Sequence, residues 1–296
     1  MNLYAARLIP HLNPAPMPDA LANRLLAQIA QELSSPDLVF PTSFDLTLRV
    51  QNLLKRPETG IDQIAALVAT EPLLSSKIMA YANSTAVRGS GPEITELRTA
   101  VMRIGLDAVR SVSYTVAVEQ LVRSKHMAPY MDVSRLMWEH SLMVAVLGRR
   151  LAREYRLNPE KAFFLGVIHD LGGFYLLYRC SADAELARDR EQLLDLVFDW
   201  HDGIGHALLS ALGVQEELVT AVQDHESDAS GLTGVRNWTE LLLVADQLVQ
   251  TAIDWATPEQ RARRGGKLTE TLLDTAARDE LMAQAREDRA SLTAMG

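Results

Sequence analysis

Apolar side chains recur every three or four positions along most of the chain, which is the spacing of one face of an α-helix. Alternation of the kind that predicts strands is scarce. Between Pro41 and about Arg123, turn signals divide the helical pattern into short segments. These segments predict five short helices: Asp45–Lys55, Asp62–Thr70, Pro72–Ala82, Leu97–Ile104 and Leu106–Val122.

The region before these helices is punctuated by proline. Residues 1–18 contain four prolines and predict an extended lead-in. Asp19 can then cap a helix in which leucine and isoleucine repeat at helical spacing from Leu21 to Leu33. Pro36 ends this helix, because proline lacks the N–H that a helix interior needs.

Longer helices are predicted from Ser134 onward. On the first of them, His140 shares a face with Met137 and Val144, so its side chain should point inward. A second helix begins at Asn158, a good cap, and Pro159, which suits the first helical position. Further helices are predicted near Ile204–Leu212, Glu216–His225, Trp238–Ala256 and Leu268–Ala290.

The fold class predicted from this pattern is all-α, with two packed helical bundles. Their boundary is expected near Lys125–Asp132, where Pro129 interrupts the helical spacing. Four segments are expected: an N-terminal extension with one helix, a first bundle, a second bundle and a helical tail, over residues 1–35, 36–125, 126–256 and 257–296.

Composition narrows the classes of partner. A net charge of −9 disfavours nucleic acid or an anionic membrane as the main partner, because phosphate binding depends on clustered Lys and Arg. The run from Arg261 to Arg264 is short and interrupted.

The single cysteine, Cys180, fits a reducing cytoplasm and is expected to be a buried hydrophobe. No secretory leader or apolar run of about 18 residues is seen, so neither export nor membrane insertion is expected. The tryptophans are expected to pack in the core or in grooves.

The candidate chemistry lies in histidine and aspartate. Four of the seven histidines and two aspartates stand in an order and spacing that resembles the metal cluster of HD-domain phosphohydrolases: His140, His169, Asp170, His201, His225 and Asp246. Imidazole and carboxylate are the ligands that divalent metals choose. Alternatively, an isolated histidine on an apolar helix face is a core residue bonded to backbone.

Two segments resemble the signature of the HDOD family. They are EPLLSSKIMAYANSTAVRG (Glu71–Gly89) and ITELRTAVMRIGLDAVRSV (Ile94–Val112). The pieces WEHSLMVA, FLGVIHDLGG, HDGIGHALL and AVQDHE then resemble the HD-like half of that family, and the likeness covers roughly residues 36–255. The signature positions Asn83, Ser84 and Gly105 are given structural roles: Asn83 should bond backbone where its helix stops, and Gly105 should cap a helix that packs on the next.

The resemblance implies a ligand set for a divalent metal such as Fe, Mn, Zn or Mg. His140, the His169–Asp170 pair and Asp246 resemble the four ligands of HD phosphohydrolases, in which the aspartate of the pair can bridge two metals. His201 and His225 match further histidines of the HD-GYP cyclic-dinucleotide phosphodiesterases. We expect the first four side chains to converge in one cavity, with His201 and His225 at its rim.

Three departures from those enzymes bear on activity. Gly173 stands where the phosphodiesterases carry a lysine that could steady a substrate phosphate. Glu226 replaces a second consecutive histidine and is an additional candidate ligand, since a carboxylate can bind a hard cation. The segment Ser227–Gly234 replaces the loop that carries glycine, tyrosine and proline, so no catalytic residue is assigned.

The leading hypothesis is therefore an HDOD signalling module that binds a partner protein or a small ligand. The alternative is a metal-dependent phosphohydrolase acting on a nucleotide or cyclic dinucleotide. A DNA-binding regulator is disfavoured by the charge balance. The oligomeric state is left open.

Overall fold

The computed structural model describes residues 20–33, 44–229, 232–264 and 275–293. Within these ranges the chain is helical and has no strand, which confirms the all-α fold. The α-helices in chain order are α1 Ala20–Leu33, α2 Asp45–Leu54, α3 Ile61–Val68, α4 Pro72–Asn83, α5 Thr85–Arg88, α6 Leu97–Val122, α7 Met131–Glu154, α8 Pro159–Ile168, α9 Leu171–Ala182, α10 Arg190–Ala211, α11 Glu216–Asp224, α12 Trp238–Gln250, α13 Pro258–Arg264 and α14 Thr275–Thr293. The lead-in predicted for residues 1–18 and the cap at Asp19 lie outside the described residues.

The first helices enclose a small core. It is made of buried aliphatic side chains from α2 to α4, from the loop before α6 and from α6 itself. Val50, Ile64, Leu74 and Ile78 are all 0% exposed. We call this cluster the small core; its buried members are Val50, Ile64, Ala65, Val68, Leu74, Ile78, Ala82, Ile94, Ala100, Val101, Val109 and Val116.

Helix α6 bends at Gly105, as the sequence predicts. Gly105 has φ 78° and ψ 166°, a backbone conformation that side chains with a Cβ rarely adopt. The two helices predicted on either side of it are therefore joined across a kink. Asn83 bonds backbone near the end of its helix: its side-chain amide N–H donates to the carbonyl of Ile94 at 2.8 Å, and its side-chain oxygen accepts from the Ile94 N–H at 2.8 Å. Ser84 donates to the carbonyl of Tyr81 at 2.7 Å.

A second, larger cluster of buried apolar side chains fills the rest of the protein. We call it the large core; it is built mainly by α7 to α12, with contributions from α1, α14 and the C-terminal part of α6. Tyr114 and Leu121 of α6 belong to the large core, whereas Val109 and Val116 belong to the small one. Helix α6 therefore contributes to both cores. The division into two bundles near residue 125 stays a prediction.

The large core depends on one very close helix contact. A Cβ placed on Gly172 of α9 would lie 2.0 Å from the carbonyl oxygen of His201 and 2.4 Å from the amide nitrogen of Gly205, both in α10. Only glycine permits backbones to approach so closely. This contact holds His201 of α10 close to α9, the helix that begins immediately after Asp170.

Three helices of this half differ from the sequence prediction. The stretch after Asp170 is helical as α9, which was not predicted. Helix α10 begins at Arg190 rather than near Ile204, because the side chain of Asp189 caps it by accepting from the Gln192 N–H. Helix α12 ends at Gln250, six residues early, and the chain turns before α13 at Pro258. No helix among the described residues is long and apolar enough to cross a membrane.

Candidate metal centre

The six residues of the ordered histidine and aspartate series meet inside the large core. His140 comes from the middle of α7, and His201 from the middle of α10. His169 and Asp170 occupy the junction between α8 and α9, and His225 directly follows α11. Asp246 lies within α12. All six are at most 1% exposed. His201 and His225 are as deeply buried as the others, so the expectation that they would lie at a rim is wrong.

The backbone orients every one of these imidazoles. Nδ1 of His169, His201 and His225 donates to the carbonyl three residues earlier, at 2.8, 2.7 and 2.6 Å. Nδ1 of His140 donates to the carbonyl of Ile253 at 2.8 Å. Because each Nδ1 is held by a carbonyl, each Nε2 faces the centre of the cluster. This arrangement is the one that metal-binding histidines use to fix the ring and its tautomer.

One group of side chains gathers around His169. Its Nε2 lies 3.4 Å from Oδ2 of Asp170 and 3.7 Å from Oδ1 of Asp246. His140 Nε2 lies 2.8 Å from the same Asp246 oxygen. Ligands about 2.1 Å from a metal stand about 3–3.5 Å apart in octahedral or tetrahedral coordination. The spacing within this group is close to that requirement.

A second group gathers around the other carboxylate oxygen of Asp170. Oδ1 of Asp170 lies 3.7 Å from Nε2 of His201 and 3.9 Å from Nε2 of His225. Glu226 Oε1 approaches the same two nitrogens at 3.4 and 3.9 Å. Asp170 thus faces both groups, one through each oxygen. The cluster has the donor inventory for two neighbouring cations with a carboxylate between them.

The surroundings of two nitrogen atoms show whether a divalent cation would fit the cluster. Nε2 of His169 and Nε2 of His225 are buried and have no hydrogen-bond partner in the structure. A buried polar atom without a partner is costly, and in native proteins it points to a ligand, an ion or water. Both atoms face carboxylate oxygens at distances longer than a hydrogen bond. The residues present therefore fit a divalent metal.

Burial and neighbouring charges shift the pKa values of the cluster in different directions. Burial opposes the charge on His140, but the hydrogen bond and charge of Asp246 outweigh burial and raise its pKa to about 9. At His169, burial outweighs the attraction of Asp170 and lowers the pKa to about 4. Burial opposes the charge of Asp170 too, yet the surrounding histidines lower its pKa to about 2. His169 and Asp170 are therefore a neutral imidazole beside an ionised carboxylate, the form that metal binding requires, whereas His140 would lose a proton when a metal binds.

The sequence did not predict which side chains donate hydrogen bonds to the carboxylates of Asp170 and Asp246. Trp255 Nε1 donates to Oδ2 of Asp170 at 2.9 Å, and Gln250 Nε2 donates to Oδ2 of Asp246 at 2.5 Å. Trp255 was expected only to pack. It does so at 8% exposure, but it also holds the central aspartate. The signal for Gln250 was available, because it stands one helical turn after Asp246.

Arg261 is a cation that the sequence did not connect with the cluster. From α13 its Nη1 donates to Oε1 of Glu226 at 2.6 Å, and its Nε and Nη2 hold both oxygens of Asp254 at 2.8 Å. Burial opposes the ionisation of Glu226, but its hydrogen bond with His201 and the charge of Arg261 bring its pKa well below the usual range. Glu226 is therefore a carboxylate fixed between an arginine and two histidines.

The glycine that replaces lysine also has a structural reason. A Cβ on Gly173 would lie 2.7 Å from Cε of Met137 and 3.4 Å from Cβ of His201. A side chain at this position would require the end of the Met137 side chain to move. The loop Ser227–Gly234 includes two residues, 230 and 231, outside the described ranges.

Comparison with known proteins shows a matching family model and several solved structures with a similar fold. The HDOD domain family model matches residues 40–227. A candidate metal-dependent phosphohydrolase from Shewanella amazonensis SB2B has a similar structure, with a TM-score of 0.66 and 24% identity over 92% of this chain and 99% of that chain. An HDOD domain protein of unknown function from Geobacter sulfurreducens has a TM-score of 0.58 and 21% identity, over 93% and 99% of the two chains.

A third solved structure also has a similar fold. A candidate signal transduction protein from Marinobacter aquaeolei VT8 has a TM-score of 0.52 and 16% identity over 99% of this chain and 64% of that chain. At these identities the likeness shows a shared fold. A comparison with curated proteins finds no match. Because the family model covers more than half of the chain, the protein belongs to the HDOD domain family.

Proposed function

We propose that this protein is an HDOD signalling module that acts by binding a partner protein or a small ligand, and that its buried cluster holds divalent metal. The observation that carries the metal is the pair of unpartnered Nε2 atoms of His169 and His225, which face carboxylates deep in the core. Such atoms cost stability unless something pairs with them. The ligands would be His140, His169, Asp170, His201, His225 and Asp246, with Glu226 in addition.

Burial argues for a role of the cluster in stability or sensing. Its side chains are at most 2% exposed, apart from Glu226 at 8%. A phosphate ester in solvent cannot touch them in this conformation. Catalysis also requires the phosphate to be held in line for attack, and Gly173 supplies no cation for that purpose. We therefore assign no catalytic residue.

Hydrolysis is the alternative that the complete ligand inventory favours. A bound pair of cations would polarise a phosphate and supply an activated water. The chain's own contribution would be to orient the imidazoles through Nδ1 and to hold Asp170 between both positions through Trp255. For a substrate to enter, Arg261 and Trp255 would have to move away from the cluster.

Metal analysis of freshly purified protein tests the first part of the proposal. We expect bound Fe, Mn or Zn in the wild type and its loss from His169→Ala, since removing a ligand weakens coordination directly. His126→Ala is the matched control, because His126 is an exposed histidine away from the cluster. Metal-free wild-type protein that also takes up no added metal would contradict the metal centre.

A substrate screen tests the second part. The protein loaded with manganese or iron is incubated with cyclic dinucleotides, linear dinucleotides and nucleoside phosphates. We expect little or no turnover. Robust turnover that disappears in both His169→Ala and Asp170→Ala, but persists in His126→Ala, would replace the binding role with the hydrolytic one.

A further inference from the structure

A cleft lies where the helices of the small core meet those of the large core. Its volume is about 230 Å³, and its walls come from α4 and α6 on one side and from α7 and α8 on the other. None of the histidine and aspartate residues of the metal cluster lines it. The cleft is therefore a separate candidate site, and any occupant would touch helices of both cores.

The cleft combines an apolar floor with charged groups. Val112, Trp138, Leu142 and Phe163 supply apolar and aromatic surface. Leu142 is 7% and Phe163 5% exposed, so both are fixed parts of the core. A concave, apolar surface with a few convergent polar groups is the usual form of a small-molecule site.

The charged groups of the cleft have an excess of positive charge. Three cations and two carboxylates line it: Lys77, Arg123, Arg149, Glu119 and Glu160. The cleft thus has a net charge of one positive unit in a chain whose net charge is −9. A local potential of this sign attracts anions.

Arg149 has donor capacity to spare. Its side chain is 12% exposed, and its guanidinium carbon stands 3.9 Å from the ring centroid of Phe163. Nη2 donates to Oε2 of Glu160 at 3.1 Å, but Nε is buried without a partner. Guanidinium groups hold carboxylates and phosphates through two parallel hydrogen bonds. Arg149 is a preorganised cation beside aromatic surface, and it lines the cleft.

Lys77 is also incompletely satisfied. Glu119 receives a hydrogen bond from Arg123 at 2.6 Å, whereas Lys77 Nζ stands 3.5 Å from the other Glu119 oxygen, beyond a good hydrogen bond. An ammonium group has three donors. Lys77 therefore has donors available for an anion in the cleft.

We propose that this cleft binds a compact molecule with an apolar ring and one anionic group, either a carboxylate or a phosphate. The ring would pack against Trp138 and Phe163, and the anion would accept hydrogen bonds from Arg149 and Lys77. The cleft is smaller than the roughly 300–1,000 Å³ typical of sites for drug-sized ligands. That size favours a ligand with a single substituted phenyl or indole ring. The proposal is independent of metal binding.

Titration calorimetry with a matched set of probes tests the chemistry. The probes are indole-3-acetate, phenyl phosphate, the neutral indole-3-acetamide and inorganic phosphate. We expect one or both aromatic anions to bind at least roughly tenfold more tightly than the amide and than inorganic phosphate, since both ring and charge contribute. The tighter of the two aromatic anions identifies the anionic group. Equal binding of the amide, equal binding of phosphate alone, or no binding of either aromatic anion up to about 10 mM would overturn the proposal.

Paired variants locate the binding. Lys77→Gln removes one cleft cation; Lys161→Gln is its control, because Lys161 has the same kind of carboxylate partner at 3.4 Å and 24% exposure, against 3.5 Å and 22% for Lys77. Val112→Phe fills the cleft, whereas Leu106→Phe changes an exposed position of the same helix outside it. We expect roughly tenfold weaker binding in Lys77→Gln and Val112→Phe only.

Stability and metal content are measured alongside binding for all four variants. Each is expected to melt as a folded protein and to retain wild-type metal content, because none contacts the cluster. If folded Lys77→Gln and Val112→Phe bind the aromatic anion as the wild type does, the cleft is not the site. That result would leave the proposed metal centre untouched, so the two proposals fail separately.

Discussion

The small and large cores bury different kinds of side chain. Among the described residues of 44–122, the buried polar side chains are neutral: Thr47, Gln51, Ser111 and Ser113, with the phenol of Tyr114 in addition. Every buried histidine and aspartate among the described residues belongs to the cluster in the large core: His140, His169, Asp170, His201, His225 and Asp246. The small core thus follows the ordinary rule of apolar burial.

The difference between the two cores distinguishes side chains that serve packing from side chains that are candidates for a function. Burying ionisable groups is costly, and a core that needed only stability would replace them with aliphatic side chains. The small core does so. The large core instead surrounds its cluster with anchored carbonyls, Trp255 and Arg261, and it leaves two imidazole nitrogens unpartnered. We infer that the stability of the large core, and not that of the small core, depends on a bound ion.

The largest expected effect follows from the closest contact in the large core. Gly172→Ala would place a methyl group 2.0 Å from the carbonyl oxygen of His201, and the nearest atoms are all backbone atoms of α10, which cannot move aside as a flexible side chain can. We expect a loss of about 3–5 kcal/mol in the free energy of unfolding, measured by urea denaturation. Gly60→Ala in the first half is the control, because a Cβ there meets nothing within 4 Å. Equal stability of the two variants would show that the contact is looser than described.

Metal should stabilise the protein through the large core. Adding metal at about 100 times its Kd is expected to raise the free energy of unfolding by about 2.7 kcal/mol, because only the folded chain presents the assembled ligands. Ile78→Ala, in the small core, should cost about 2–5 kcal/mol yet retain the metal increment. His169→Ala should lose that increment. An increment that survives in His169→Ala would place the metal elsewhere.

The pH dependence of stability should also come from the large core when metal is removed. His140 has a raised pKa of about 9, so its contribution is complete below its unfolded value of 6.5 and is lost as the pH rises toward 9. His169 has a lowered pKa of about 4, so stability is lost as the pH falls from 6.5 toward 4. We expect slopes of roughly 1 kcal/mol per pH unit on either side.

Two variants test whether this pH dependence comes from the cluster in the large core. Asp246→Asn removes the charge that raises the pKa of His140, so the loss above pH 6.5 should flatten. Ile78→Ala should lower the whole curve without changing its shape, since the small core contains no group that titrates in this range. A change of shape in Ile78→Ala would break the contrast between the cores.

The smallest expected effect concerns Cys180, which is 0% exposed in the large core but does not belong to the cluster. Burial, with a further contribution from Asp183, raises the pKa of this thiol to about 12. The native protein should therefore react negligibly with an aromatic disulfide reagent between pH 7 and 8, and fully after unfolding in urea. Rapid labelling of the native protein would mean that the large core opens readily.

Local signals in the sequence predicted many helix limits correctly. Asn158 and Pro159 begin α8, where Asn158 accepts from the amides of Glu160 and Lys161. Gly105 divides α6 because the positive φ of that residue is a local backbone requirement. Such signals act within a few residues, so they can be read without knowing the fold. Helix α9 was missed because a helix buried on most sides has little apolar periodicity, whereas the early start of α10 depends on the cap at Asp189.

The sequence by itself determined that the chain is helical, because helical periodicity is a property of neighbouring residues. Its resemblance to HD phosphohydrolases indicated which side chains are candidate metal ligands. Only the tertiary structure decided that His201 and His225 are buried, that Trp255 and Arg261 reach the carboxylates, and that a cleft forms between the cores. These features join residues far apart in the chain. They depend on which helix faces meet and how closely, and close packing of the whole core decides that.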